Sequence, residues 1–369
     1  MLMLTGCRQA DAKKAYTAAG EALLASDYDA AVSGYSAVID LGCYLPEAYR
    51  GKGLAEMSQG NYSDAAISLE KSLLNVESQS EEFQRDVSLY LAYCRERQGN
   101  SDKAMAIYDQ LILQSPDAET LYLRGRLHLH RGESRAAESD FNQAVLLDPS
   151  YDLFINIYQL YEDMERSGDG AHYLEMALSE ASRNAEDYYE QGLVSYYLQN
   201  YSDARDMLIK AMRKDPDDGR AIYLLGQVYL ASGDVADARA LYWEYTDKPE
   251  TAATAYNGLA LCDIREGKYE SALENVEAGL ALNDESANEG LLYNEIVLYE
   301  QMHDWQTAKK KAAAYAARYP GNEAGVREYT FLSTRLASLI VNELNKFVYL
   351  PRSHAAKPLI SLCDRVHRL

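Results

Sequence analysis

Small, bulky and polar residues recur along this chain in a fixed order, and the apolar members of each round lie three or four residues apart, the spacing of one helix face. The clearest marker is Asn-Tyr-Ser-Asp-Ala, present at Asn61–Ala65 and again at Asn200–Ala204. Looser copies begin at Asp27, Asn100, Lys268 and Asp304. Tyr28 to Tyr62, Tyr201 to Val235 and Val235 to Tyr269 are each a step of 34 residues. A period of that length predicts an array of small helical units rather than one central core.

Two helices per period follow from the other fixed positions. Nine residues before the turn aromatic stands a small residue (Ala19, Gly53, Ala92, Gly125, Gly192, Gly226, Ala260), as needed where a first helix approaches a second closely. Three residues after the aromatic comes Ala31, Ala65, Ala104, Ala137, Ala204, Ala238, Ala272 or Ala308. Four further on lies a bulky residue on the same face, such as Tyr35, Leu69, Phe141 or Tyr242. Gly60, Gly99, Gly132, Gly233 and Gly267 are placed to end first helices in a left-handed cap, and Pro116, Pro149, Pro216 and Pro320 to stop second ones.

In this order the residues resemble the tetratricopeptide repeat family, whose pattern is aromatic–Leu–Gly–Tyr in a first helix and Ala–Phe–Ala–Pro in a second. The best single unit is Ala185–Asp218, with Tyr188, Gly192, Tyr201, Ala204, Leu208, Ala211 and Pro216 in register. Nine units start near Ala12, Pro46, Arg85, Ala118, Phe154, Ala185, Gly219, Ala253 and Glu289. The resemblance implies an all-α fold, a right-handed α-solenoid of paired antiparallel helices. Four units would fill 12–153, a degenerate fifth 154–184 and four more 185–322, followed by a capping helix over 323–349 and an irregular basic tail over 350–369. In the fifth unit Gly170 takes the place of the turn aromatic and Tyr173 that of the small alanine, which marks Phe154–Asp187 as a hinge candidate. Extra residues around Ser78–Gln84 predict a lengthened helix or loop there.

Charge narrows the partners. The chain carries 36 Lys and Arg against 57 Asp and Glu, a formal net charge of −21, with the basic residues scattered. No basic stripe exists for a phosphate backbone, so nucleic acid is not an expected ligand. Leu336–Leu369 reverses the balance, with Lys346, Arg352, Lys357, Arg365 and Arg368 against Glu343 and Asp364.

Leu4-Thr5-Gly6-Cys7 resembles the lipobox of bacterial lipoproteins, in which the cysteine thiol carries the lipid. That resemblance implies a membrane anchor at Cys7 and a place on the extracytoplasmic face of the bacterial cell membrane, with residues 1–11 as signal remnant and linker and Arg8–Lys14 as a polar, mobile lead-in. A full signal also has a basic start and a longer apolar stretch, of which only Met1–Leu4 stands here. The alternative is a cytoplasmic protein in which Cys7 is incidental. Cys94 and Cys262 share one position in their first helices and are expected in the core, while Cys43 and Cys363 are isolated, so no disulfide is predicted.

Signatures of catalysis are missing: no phosphate-binding Gly-rich loop, no dinucleotide fingerprint, no His-Glu-x-x-His. His128 and His130 lie two apart on a predicted helix and so point to different faces. No enzyme activity and no cofactor or metal is expected. Function falls instead on the face that stacking creates. Numbering each unit from its first residue, position 5 of the first helices carries Tyr16, Tyr122, Tyr158, Tyr189, Tyr223 and Tyr293, with Arg50 and Asn257 in two others. Positions 9 and 12 add Tyr93, Arg126, Gln227, Leu193 and Tyr196, and position 13 adds Arg97, Arg166 and Arg265. In the family this stripe lines the concave groove, which implies a wall of tyrosines and guanidinium groups suited to a peptide or protein partner. The family's Lys and Asn clamp for a terminal carboxylate is not reproduced. A non-enzymatic binding scaffold is the reading these residues favour, with a soluble adaptor or peptide sensor, or an accessory array of an enzyme complex, as alternatives.

Overall fold

A computed structural model of the chain describes residues 2–75, 79–179, 184–322 and 324–334, with side chains from Arg8 onward. Every regular element among them is a helix. Successive pairs form nine hairpins: α1 (Leu2–Leu24) and α2 (Tyr28–Asp40), α3 (Leu45–Ser58) and α4 (Tyr62–Leu73), α5 (Glu81–Arg97) and α6 (Ser101–Gln114), α7 (Ala118–His130) and α8 (Ser134–Leu147), α9 (Tyr151–Asp163) and α10 (Ser167–Ala177). The series continues with α11 (Ala185–Tyr197) and α12 (Tyr201–Lys214), α13 (Gly219–Ser232) and α14 (Val235–Tyr245), α15 (Ala252–Arg265) and α16 (Tyr269–Ala281), α17 (Glu285–Gln301) and α18 (Trp305–Arg318). A further helix, α19, covers 324–334 and sets the buried Leu332 against the apolar cluster of Ile296, Ala308, Ala312 and Tyr315. The part of the expected cap beyond 334, and the basic tail, lie outside the described residues.

Backbone chemistry sets the hairpin length. Gly60, Gly99, Gly132, Gly233 and Gly267 all have φ between 73° and 88°, ending their first helices in the left-handed region as their spacing predicts. The same turn in hairpins without glycine is made by Ser26, Glu165, Gln199 and His303, with φ of 58° to 60°. Second helices α6, α8, α12 and α18 stop two residues before a proline. Ser115, Asp148 and Asp215, each directly before that proline, are extended, with ψ of 92° to 98°.

The left-handed residue also corrects one expectation. In eight hairpins it is the fifteenth residue of the unit as numbered from sequence, but Glu165 fits only if the fifth unit starts at Tyr151 rather than Phe154. In that register Gly170 stands where other hairpins have the small alanine. A Cβ there would lie 2.9 Å from Cβ of Tyr161. Leu174 becomes the bulky second-helix residue and is fully buried, as are Tyr173 and Ala177. The chain divides into two compact bodies between Gly170 and Ala171, inside the segment expected as a hinge. One other expectation changes: Arg8–Lys14 are not a loose lead-in but part of α1. The additional residues before α5 lengthen that helix to 17 residues, one of the two forms expected for them, capped by the Ser80 hydroxyl on the Phe83 amide.

Small residues in the first helices are explained by what passes beside them. Tyr242 of α14 lies between Gly226 of α13 and Gly258 of α15, where added Cβ atoms would fall 2.0 Å and 2.3 Å from its ring atoms. Tyr35 of α2 meets Gly51 of α3 in the same way at 2.4 Å, and Phe141 of α8 meets Gly125 of α7 at 2.6 Å. Each bulky side chain is a wedge between neighbouring first helices, and the glycine leaves room for it. Cys94 and Cys262 belong to this core, and burial pushes their thiols up to about 11 and about 12.

Two measurements test this account. Gly226→Ala should destabilise the chain by about 1–3 kcal/mol through overpacking, and by clearly less in a Tyr242→Leu background; equal costs in both backgrounds would remove the wedge explanation. Gln199→Gly should raise stability by about 1 kcal/mol, because the side chain's left-handed strain disappears, and an unchanged denaturant midpoint would contradict it.

Candidate partner-binding wall

First helices of consecutive hairpins touch one another: α1 with α3 and α3 with α5 in the first body, α11 with α13, α13 with α15 and α15 with α17 in the second. Second helices make no comparable contacts among the described residues. The layer with the closer spacing is the inner side of a curved stack, so in each body the inner wall belongs to the first helices.

The position-5 tyrosines stand on this wall half-buried, leaning on second-helix aromatics that reach between the first helices. Ring centroids of Tyr16 and Tyr35 are 5.6 Å apart, those of Tyr122 and Phe141 6.2 Å, of Tyr223 and Tyr242 6.5 Å, and of Tyr293 and Tyr315 5.7 Å. Tyr93 is more open and packs edge-on against Tyr62 at 6.0 Å, with Arg97 lying 5.3 Å above the Tyr62 ring. Tyr196 packs against Tyr201 at 6.0 Å. Hydroxyls from the outer layer also arrive here. Tyr108 donates to Glu96 at 2.5 Å, Tyr242 to the Tyr223 carbonyl at 2.8 Å, and Tyr315 to Glu289 at 3.3 Å.

Two residues predicted for the wall are buried instead. Tyr158 is 6 % exposed, because the corrected register of the fifth hairpin moves it to the core-facing eighth position. Asn257 is 5 % exposed: its Oδ1 accepts from Asn294 Nδ2 at 2.6 Å, and its Nδ2 lies against Gly290, where a Cβ would approach to 2.9 Å. Gln227 is half-buried with its amide nitrogen enclosed beside the Tyr242 phenol, whose ionised form a hydrogen bond from Gln227 favours.

Most of the arginines are engaged within the chain. Arg50 Nε donates to Asp86 of the next first helix at 2.5 Å and lies 5.6 Å from the centre of the Tyr90 ring. Arg126 bonds back to Glu96 of the preceding first helix at 3.1 Å, and Arg166 bonds to Asp169 at 2.7 Å and Ser134 at 3.1 Å. Arg220, which sequence reasoning passed over, grips both oxygens of Glu186 at 2.9 Å and 2.6 Å while its guanidinium covers the Tyr189 ring at 4.6 Å. The Arg220 bond holds the Glu186 carboxyl below the usual carboxylate range. Arg265 is exposed. The clue to three of these pairs was available: Asp86, Glu96 and Glu186 stand 30 to 36 residues from their arginines, about one unit away. The Cys7 side chain lies outside those described, His128 faces Glu133 at 2.6 Å while His130 is exposed, and no group of three or more His, Cys, Asp or Glu converges among the described residues. No described helix is long and apolar enough to cross a membrane.

Family models agree with a repeated helical-hairpin architecture. Three family models, each described as tetratricopeptide repeat, match residues 16–82 and 189–253, 86–118, and 118–151, together more than half of the chain. A DnaJ homolog subfamily C member 7 homolog of Schizosaccharomyces pombe is 25% identical over 203 residues, which are 52% of this chain and 37% of that protein, so the match spans well under half of the relative. Among solved structures, a tetratricopeptide repeat protein from Parabacteroides merdae is 16% identical, covering 68% of this chain and 98% of that one with a TM-score of 0.41. Yeast Tom70 is 14% identical, covering 89% and 82%, with a TM-score of 0.47.

Burial of the wall tyrosines has a consequence in alkali. Tyr189 is pushed up from 10.0 to about 12, by burial first and then by the charge of Glu190. A phenol whose pKa is raised by folding contributes stability that is intact below 10.0 and is lost as pH climbs through about 12. Melting temperature should therefore drop across that interval, and Tyr189→Phe should make the drop shallower; an identical profile in the variant would show that Tyr189 does not contribute.

Proposed function

We propose, for a chain that belongs to the tetratricopeptide repeat family, that its work is to hold another polypeptide against the tyrosine-lined first-helix layer and that it carries out no reaction. One observation carries this reading. Tyrosines recur on one layer, hairpin after hairpin, half-buried and braced from behind, so each offers a ring edge and a hydroxyl without losing further conformational freedom on binding. Arginines that would otherwise swing freely are fixed by Asp86, Glu96 and Glu186, so the wall is pre-organised.

The proposal includes a location. Leu4-Thr5-Gly6-Cys7 supports a lipid anchor at Cys7 and an extracytoplasmic position on a bacterial membrane. Helix α1 includes Cys7 and continues to Leu24, so such an anchor would hold the first hairpin next to the bilayer surface. Incorporation of labelled fatty acid in whole cells, lost in Cys7→Ala, is the expected result. Equal labelling of wild type and variant, or no labelling of either, rejects the anchor and leaves the cytoplasmic adaptor.

Partner capture tests the wall separately. Tyr189→Ala with Tyr196→Ala should lower partner recovery from a lysate at least about tenfold, as loss of two aromatic anchors does, when assayed below the variant's melting temperature, which the lost packing also lowers. Undiminished recovery would place binding elsewhere.

A further inference from the structure

Positions 5 and 9 share a helix face, and in the first helices of the second body they form an uncharged strip. Tyr189, Leu193, Tyr223, Gln227, Leu261 and Val297 all stand there half-buried, with Asn257 beneath them tied to Asn294. A quarter of the chain's residues are charged, and its formal charge is −21, so this absence is not what composition alone would produce. The corresponding stripe of the first body differs, since it contains Arg50 and Arg126, each matched by an acid of a neighbouring hairpin. At the edge of the second-body strip, Arg220 is likewise neutralised by Glu186 and Asp218.

From this we infer that the second body selects an uncharged, extended polypeptide segment bearing apolar or aromatic side chains, and not a basic or acidic one. The inference rests on the binding reading above and specifies its ligand. A charged side chain laid on Tyr189, Leu193, Tyr223, Leu261 or Val297 would shed hydration against uncharged side chains, which is unfavourable. Apolar side chains gain stability there in proportion to the area they withdraw from water. Extended backbone brings complementary groups as well, since its amides and carbonyls can pair with the one polar side chain, Gln227, that stands half-buried among the apolar ones.

Fluorescence polarisation with the full chain and three labelled peptides of equal length decides the matter: one uncharged and rich in Leu, Tyr and Pro, one with Lys replacements, one with Glu replacements. The uncharged peptide should bind tightest, and its Kd should change less than about twofold between about 0.05 M and about 0.5 M salt, conditions that differ several-fold in screening length. Leu261→Lys should weaken it at least about tenfold, the size expected at a central anchor, and Gln227→Ala, which adds no charge, provides a milder second test if the first variant melts early. Tightest binding of the Lys peptide with steep salt dependence would overturn the inference and leave the scaffold reading standing. So would unchanged affinity in both variants, or a dimer in light scattering that Leu261→Lys dissociates, since a second copy would then own the strip. Failure of all three peptides, together with undiminished lysate capture by the wall variants, would remove both.

Discussion

The wedge of a second-helix aromatic between two first helices is the contact on which the rest of this structure depends. Tyr242 occupies the space that side chains at Gly226 and Gly258 would need, and Tyr35 and Phe141 meet Gly51 and Gly125 in the same manner. A wedge of this kind fixes the distance between consecutive first helices, and in a stack whose stability is a sum of neighbour terms that distance sets the geometry of every following hairpin. It also has a chemical result, because the wedge ends in a hydroxyl. The Tyr242 phenol passes through the stack and bonds to the Tyr223 carbonyl, and Tyr108 reaches Glu96. Phenylalanine would fill the same gap but satisfy no acceptor, which gives a physical role to some of the 31 tyrosines that outnumber the 5 phenylalanines.

Much of this was legible in the residues. Small side chains at the eighth position, glycines ahead of the turn and prolines after the second helix each enforce one local geometry, and each is found doing so. The fifth hairpin was misread by three residues because its signals are displaced. Its left-handed turn is made by Glu165, a residue with no preference for that region, and its small residue is Gly170, where the other units have alanine. Once the turn is placed by backbone angle, Tyr158 moves from wall to core. Ser26, Gln199 and His303 make the same turn without glycine, yet their units were read in register because Tyr28, Tyr201 and Trp305 and the alanines three residues on mark the second helix; the fifth unit has Ser167 and Gly170 there and no glycine at the turn, so nothing in the pattern fixes its register.

Site residues were less legible than elements for a different reason. A first-helix position predicts which way a side chain leaves the backbone, but not what neighbouring hairpins place opposite it. Arg50, Arg126 and Arg220 all project toward the wall, yet Asp86, Glu96 and Glu186 meet them there. Those acids come from one unit away, so the pairing is visible only when the chain is written as stacked periods rather than as a line. Asn257 illustrates the same limit: its stripe position is a wall position, and Asn294 of the next first helix covers it.

A chain with a net charge of −21 that cancels its charges along the inner stripe separates two tasks that charged binding surfaces combine. Long-range attraction depends on total charge and its distribution, and it raises encounter rates with basic proteins without fixing where they settle. Final fit depends on short-range contact, and there an ion pair internal to the wall presents a nearly neutral face with fixed geometry. Arg220 held by Glu186 over the Tyr189 ring is such a face. Breaking that pair to grip a partner's acid would trade one charge-assisted bond for another and gain little. On the proposed reading, shape and apolar contact would discriminate between partners once they arrive, while the acidic exterior would govern how often they do.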